Sequence, residues 1–290
     1  MKRFRILHQT HYYFTQDVQL GPHTLRLRPR EGPELRIETS SLTIQPTAVL
    51  RWHRDAEENA VASASFSTPS NQLLIESDTT IQQYNQAPYD FLVSDYAEQY
   101  PFQYSEEDRV MLAPYMYQRP QTKDDPLSQW LADICHSSEN IQSYTLLKRL
   151  NEKTHKTLKY QMREEPGVQS ANESLALRSG SCRDLAQLFI EATRHLGFAA
   201  RFVTGYIYSP GSALAGSTHA WAEVFLPGAG WKGFDPTTGF LVGSDHIAVA
   251  VARLPVSVPP VSGSYIGPPD SRMEVAVWVT ELTEAPDEAE

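Results

Sequence analysis

Leu185, Leu188, Phe189, Ala192 and Leu196 recur at helical spacing, which puts all five on one face of a helix. Gly180-Ser181 supplies a start signal for that helix and Gly197 a stop. Three runs of strand composition follow directly, at residues 200–208, 219–226 and 231–234. A helix with one apolar face, followed at once by neighbouring strands, must bury that face against them. The C-terminal half is therefore expected to lay a helix across a sheet.

The first 85 residues have a different texture. Phe4, Ile6, His8, Thr10, Tyr12 and Phe14 alternate along an extended run, Leu25 and Leu27 mark another, and further runs cover 35–44, 60–66 and 72–81. Gly21-Pro22, Gly32-Pro33 and Pro69-Ser70-Asn71 read as turns between them. The expected fold class is α+β: a β-sandwich-like domain over 1–85, a connector over 86–126, a mixed core over 127–283 and a disordered acidic tail over 284–290. Within the core, Asp125-Pro126 opens a helix for 127–135. Leu146, Leu147, Leu150 and Thr154 mark a second helix, and Ser170 with Glu173 forms a capping box for a third.

A net charge of -10 argues against nucleic acid and anionic membrane as partners. No apolar run is long enough to span a bilayer, and the first ten residues lack the apolar stretch of a signal peptide. A cytoplasmic location is expected, and with it reduced thiols rather than a Cys135–Cys182 disulfide.

Cys182 falls in the first turn of the amphipathic helix, where backbone N–H groups favour an anion, the state in which a thiol is nucleophilic. Most free cysteines are small buried hydrophobes, and Cys135, late in an ordinary helix, is read that way. His219 opens the strand 219–226, sharing one face with Trp221, Glu223 and Phe225, while Ala220, Ala222, Val224 and Leu226 take the other. At a strand end it can reach a helix packed across the sheet and act as a base toward a thiol. Asp235 ends the next strand, held extended by Pro236, where its carboxylate can fix the imidazole tautomer. Each residue alone has a bland alternative: a core thiol, an exposed histidine, a turn aspartate. The ordered trio carries more weight.

Other residues draw milder readings. His8 and His11 should face opposite sides of a strand, which argues against a metal pair. His155 and His195 are read as surface residues of helices, and Asp184 as a complement to its helix N-terminus. Trp221, Tyr206 and Tyr208 are the candidate substrate-binding residues, although core packing is the commoner role of such aromatics.

The segments Arg178-Ser179-Gly180-Ser181-Cys182-Arg183-Asp184-Leu185-Ala186, Thr218-His219-Ala220-Trp221-Ala222-Glu223-Val224 and Gly230-Trp231-Lys232-Gly233-Phe234-Asp235-Pro236-Thr237-Thr238 resemble, in order, the cysteine, histidine and aspartate motifs of the transglutaminase-like superfamily. The strand Ala199-Ala200-Arg201-Phe202-Val203-Thr204-Gly205-Tyr206 resembles the one that joins the first two motifs. Segments of the first 55 residues and Pro259-Pro260-Val261-Ser262-Gly263 resemble regions flanking this core in bacterial proteins. The stretch Arg253-Leu254-Pro255-Val256-Ser257 departs from the acidic and aromatic residues common there.

The resemblance implies a papain-like arrangement and a Cys182–His219–Asp235 triad acting by thioester chemistry, most often as a cysteine protease on a peptide or protein substrate. Neither a metal nor an organic cofactor is implied, and no calcium-loop pattern is evident. Transfer of the acyl group to an amine, giving a cross-linking enzyme, is the alternative. A non-catalytic binding or assembly module on the same fold is the rival from another class. A redox thiol would require a resolving cysteine, for which Cys135 is the single other cysteine.

Overall fold

The computed structural model describes residues 1–84, 88–118, 125–134, 139–163, 165–211 and 216–282. Cys135 and the expected tail 284–290 lie outside them. The N-terminal half is built from β1 (Lys2–Leu25), β2 (Leu35–Gln45), β3 (Ala48–Arg54), β4 (Ala60–Phe66) and β5 (Ser70–Gln83). The alternation starting at Phe4 sends Phe4, Ile6, His8 and Thr10 into the interior, as a period of two requires. His11 lies on the opposite face, its ring 3.9 Å from that of Tyr13, so the two histidines do not converge.

β1 is a single strand of 24 residues that serves two sheets. Its first half pairs antiparallel with β5, whose other edge carries β2; its second half pairs with β4, which carries β3. Gly21-Pro22, expected as a turn, is instead the site of a register shift within β1. A Cβ on Gly21 would lie 2.6 Å from the Ser264 hydroxyl, so the glycine allows the neighbouring strand to close in.

The connector holds a short helix α1 (Asp95–Glu98), β6 (Gln99–Tyr100) and α2 (Glu106–Met116). α2 has a single buried residue, Leu112, and correspondingly little apolar period to read in sequence. The connector is pinned to the core by Tyr104, whose hydroxyl donates to the Phe225 carbonyl at 2.8 Å and accepts from the Ala199 amide at 3.0 Å.

The core then runs α3 (Pro126–Leu131), β7 (Ile141–Gln142), α4 (Ser143–Thr157), β8 (Lys159–Tyr160), α5 (Ala171–Leu177), β9 (Ser179–Gly180) and α6 (Cys182–His195). Asp125 and Ser170 cap their helices as the sequence suggests, accepting from Ser128 N–H and Glu173 N–H. A five-stranded sheet follows: β10 (Ala200–Ile207), β11 (His219–Leu226), β12 (Gly230–Asp235), β13 (Phe240–Leu241) and β14 (His246–Ala252), in the order β13-β12-β11-β10-β14. Leu185, Leu188, Phe189 and Ala192 of α6 bury against Ala220, Ala222, Val224, Leu226, Phe202 and Phe234. The apolar face of the helix and the alanine-rich face of β11 thus cover one another.

The last two strands, β15 (Val261–Ile266) and β16 (Ser271–Glu281), do not extend the core sheet. β15 pairs with the second half of β1, and β16 with the first, in register from Phe4↔Glu281 to Phe14↔Ser271. The expected core span of 127–283 therefore includes strands whose hydrogen bonds belong to the N-terminal sheets. Pairing between ends of the chain leaves no mark in local sequence. The two halves also share a dry contact, in which Phe4, Ile6, Ile81 and Val277 meet Tyr206, Ile247 and Val249. Fully buried Asn59 extends it by bonding both the N–H and C=O of Val251, as a neighbouring strand would.

Candidate active site

α6 begins where Cys182 needs it to begin. Ser181 precedes the helix in extended conformation and forms a reciprocal capping box with Asp184. Asp184 is fully buried and collects five polar contacts: Ser181 N–H at 2.9 Å, Ser181 hydroxyl at 2.7 Å, Gln169 N–H at 2.8 Å, and Arg163 at 3.0 and 3.2 Å. Burial pushes its carboxyl up, but the Arg163 guanidinium and the amide donors outweigh that and hold it below its ordinary range. The carboxylate both caps the helix and ties the preceding loop to the cysteine. Gly180 fits tightly beneath it, since a Cβ there would lie 2.8 Å from that of Asp184.

His219 stands at the first position of β11 and Asp235 at the last of β12. The His219 Nε2 donates to Asp235 Oδ2 at 2.9 Å. The Cys182 thiol lies close enough to His219 to help hold its ring in the charged form. Nε2 is committed to the aspartate, which leaves Nδ1 as the ring nitrogen available to a thiol. Asp235 is wholly buried; its Oδ1 accepts the Thr237 N–H at 2.9 Å. Burial works against a charged His219, yet the hydrogen bonds to Asp235 and Cys182 raise its pKa to about 10. Burial likewise disfavours the Asp235 anion, and the bonds from His219 and His246 overcome this, holding the carboxyl well below the carboxylate range. The arrangement favours an imidazolium between two groups able to carry negative charge.

The faces divide in a way the alternation does not convey. α6 packs on the side of Ala220 and Ala222, opposite the side to which His219 nominally belongs. The ring nevertheless serves both layers because it sits at the strand end. Mid-strand, the sheet itself would separate it from Cys182.

Trp221 is 1% exposed, packed with Val203 and Val251 below the triad, with its ring 6.0 Å from His219. It supports the histidine from within the core rather than walling a cleft. Tyr206 and Tyr208 are not cleft residues either. The Tyr206 hydroxyl meets His8 Nδ1 at 3.2 Å and the Leu27 carbonyl at 3.3 Å, and the Tyr208 ring lies 4.9 Å from Phe4. At this end of β10 the pairing with β14 shifts by one residue, Val249 being the extra residue on β14, and Tyr206 packs with Val249, Ile247 and the N-terminal sheet. His155 is exposed, its Nδ1 meeting the Thr237 carbonyl at 2.9 Å, and His195 is half-buried.

His246 has no counterpart in the sequence reading. It enters β14 after a crossing from β13, and its Nε2 lies 3.2 Å from Asp235 Oδ2. His219, Asp235 and His246 offer ligand atoms within 4.8 Å of one another, a donor set known from metal centres. Here the Asp235 oxygens already have protein donors, so the hydrogen bonding is complete as it stands.

Beside the loop that leads into α6, an open depression of about 650 Å³ is lined by Met162, Arg163, Gln169, Leu177 and Gly180, with no residue of the Cys–His–Asp set among its lining. A smaller cavity of about 310 Å³ lies further along α6, where Arg253 and Leu254, the segment that departs from the family pattern, face Gln187 and Arg194.

Residues 4–82 match the bacterial transglutaminase-like N-terminal region, and residues 132–236 the transglutaminase-like superfamily core, which spans all three residues of the Cys–His–Asp set. The chain belongs to the transglutaminase-like superfamily. Two similar curated members are described as uncharacterized proteins. One, from Mycobacterium leprae, is 23% identical over 97% of this chain and all of its own length. The other, from Mycobacterium bovis, is 27% identical over 96% of this chain and 92% of its own. Among solved structures, one described as a "Putative Cysteine Protease" from Cytophaga hutchinsonii superposes with a TM-score of 0.74 at 17% identity, covering 98% of this chain and 92% of that one. The superposition takes in the N-terminal sheets as well as the core.

Proposed function

We propose that this protein is a cysteine-dependent acyl-transfer enzyme that hydrolyses amide or peptide bonds with Cys182, His219 and Asp235. The observation that carries the proposal is the buried His219–Asp235 pair at 2.9 Å, with the Cys182 thiol at the start of α6 near enough to help hold the imidazole charged.

The proton shared by Cys182 and His219 rests on the imidazole, and in the first step the thiolate sulfur attacks the substrate carbonyl carbon, forming a C–S bond. The oxyanion is met by the backbone N–H of Cys182, which stands at the first helical position and has no donor role within the α6 ladder. Collapse breaks the C–N bond, and the imidazolium gives its proton to the leaving amine. Water, deprotonated by His219, then attacks the thioester; the acid leaves and the thiol is restored. Asp235 keeps Nε2 protonated so that Nδ1 can exchange the proton with sulfur, and it stabilises the charged ring.

The depression past Met162 and Leu177 offers the substrate a mixed apolar and polar wall, consistent with a peptide or protein chain. Hydrolysis is favoured over cross-linking because water needs no second binding site for an amine.

The test is peptide-amide turnover with hydroxylamine as a competing acceptor. Wild type should release amine and form the hydroxamate, and Cys182→Ala should do neither. Equal amine release by both proteins sinks the proposal. Preferential capture of an added lysine analogue over water would move the reading to cross-linking.

A further inference from the structure

Asp235 Oδ2 accepts two imidazoles, yet the proposed chemistry uses only one. The second, His246, is held at both ends. The Gly243 N–H donates to its Nδ1 at 3.3 Å, so that nitrogen is an acceptor and the ring proton resides on Nε2. Nε2 in turn faces Asp235 Oδ2 at 3.2 Å. The ring is largely buried and stands edge-on to Trp221, with centroids 5.2 Å apart. Trp221 also flanks His219, so one indole supports both histidines that converge on the carboxylate.

The backbone path explains how a residue so far along the chain reaches this point. After β13 the chain crosses over the sheet face opposite α6. Val242 lies against Gly233, where a Cβ would meet it at 2.5 Å, and the Val242 N–H bonds the Gly233 carbonyl at 3.1 Å. The crossing delivers His246 above the end of β12, where Asp235 sits.

A carboxylate at a strand end has a free χ2 rotation, and the Thr237 N–H holds only Oδ1. A donor on Oδ2 from a second direction removes that freedom. We infer that His246 is a positioning residue for the proposed triad, a neutral Nε2–H donor that locks the Asp235 carboxylate in the orientation that receives His219. This rests on the catalytic reading above. Titratable groups near the network are Cys182 at the start of α6, Tyr160 beyond the thiol, His155, which meets the Thr237 carbonyl at 2.9 Å, and Tyr89, whose hydroxyl stands beside Gly243. Asp245, next to His246, is engaged by Lys2 at 2.9 Å.

The experiment compares His246→Phe, which keeps a ring against Trp221 but has no donor, with His246→Gln, whose side-chain N–H₂ reaches the same place. Each is alkylated with iodoacetamide over a pH series, with folding checked by circular dichroism. The expected result is that His246→Phe moves the acid limb of Cys182 alkylation upward by about one pH unit, a roughly tenfold loss of low-pH rate, in the range for removing a supporting shell contact. His246→Gln should restore most of it. An unchanged limb in folded His246→Phe, or a limb moved downward, overturns the inference.

A second readout does not depend on the thiol. In protein carrying ¹⁵N-labelled histidine, His246 should bear its proton on Nε2. A proton on Nδ1 overturns the inference whatever Cys182 does. Absence of low-pH alkylation in the wild type would instead count against the catalytic reading, and the tautomer measurement would still decide the role of His246.

Discussion

His219 and Asp235 lie sixteen residues apart on adjacent strands, and their side chains meet at 2.9 Å where one strand begins and the other ends. This pair sets the electrostatics of the site: a fully buried carboxylate held ionised, and an imidazole held protonated with a pKa near 10.

The pair makes stability depend on pH from both sides. A carboxyl held low in the folded state contributes stability above its unfolded value of about 3.9, and loses it as pH falls. An imidazole held high contributes below its unfolded value of about 6.5, and loses it as pH rises toward 10. Thermal unfolding should therefore show a plateau between about pH 4 and 6.5, with the alkaline decline reduced in Asp235→Asn. An alkaline decline identical to wild type in that variant would contradict the assignment.

Removing the base should silence the thiol. His219→Ala is expected to lower peptide-amide turnover by about 10²–10⁴-fold, the usual contribution of a positioned acid–base group. It should also abolish alkylation of Cys182 at low pH. The same variant leaves Asp235 buried beside fewer donors, so a loss of about 3 kcal/mol in urea unfolding is expected as well.

Asp184 is a structural carboxylate. Asp184→Ala removes the partner of Ser181, Gln169 and Arg163 together, and should cost about 3 kcal/mol, measured by denaturant unfolding. Because its carboxyl is held low, its contribution should fade as pH drops below about 4, making the variant and wild type converge in acid. A gap that widens in acid would be the contrary result.

Tyr206 separates an interface role from a substrate role. Tyr206→Phe removes the hydroxyl that meets His8 and Leu27, and should cost about 1 kcal/mol while leaving KM for peptide amides unchanged. A raised KM with unaltered stability would return Tyr206 to the cleft.

Gly205 has no room for a side chain. A Cβ would sit 2.2 Å from the Ile247 carbonyl and 2.6 Å from the Trp221 ring. Gly205→Ala should destabilise by about 2 kcal/mol or more, through displacement of β14 or of Trp221 beneath the triad. Unchanged melting would show that the strand accommodates the methyl group.

Elements whose signals are local could be read from the chain alone. The apolar period of α6, the Ser170–Glu173 box, the Asp125-Pro126 cap and the alternation of β1 all depend on neighbours within a few residues, and each is found where those neighbours put it. The order of Cys182, His219 and Asp235 was equally legible, because each occupies an element boundary that punctuation residues announce. Tertiary structure decided what depends on distant chain segments. β16 returns to β1 by hydrogen bonds across more than 250 residues, the N-terminal sheet brings His8 to Tyr206, and a crossing loop carries His246 to Asp235. Backbone pairing is indifferent to side-chain identity, and a register shift reverses which residues face inward, so no periodicity in these stretches could report the outcome.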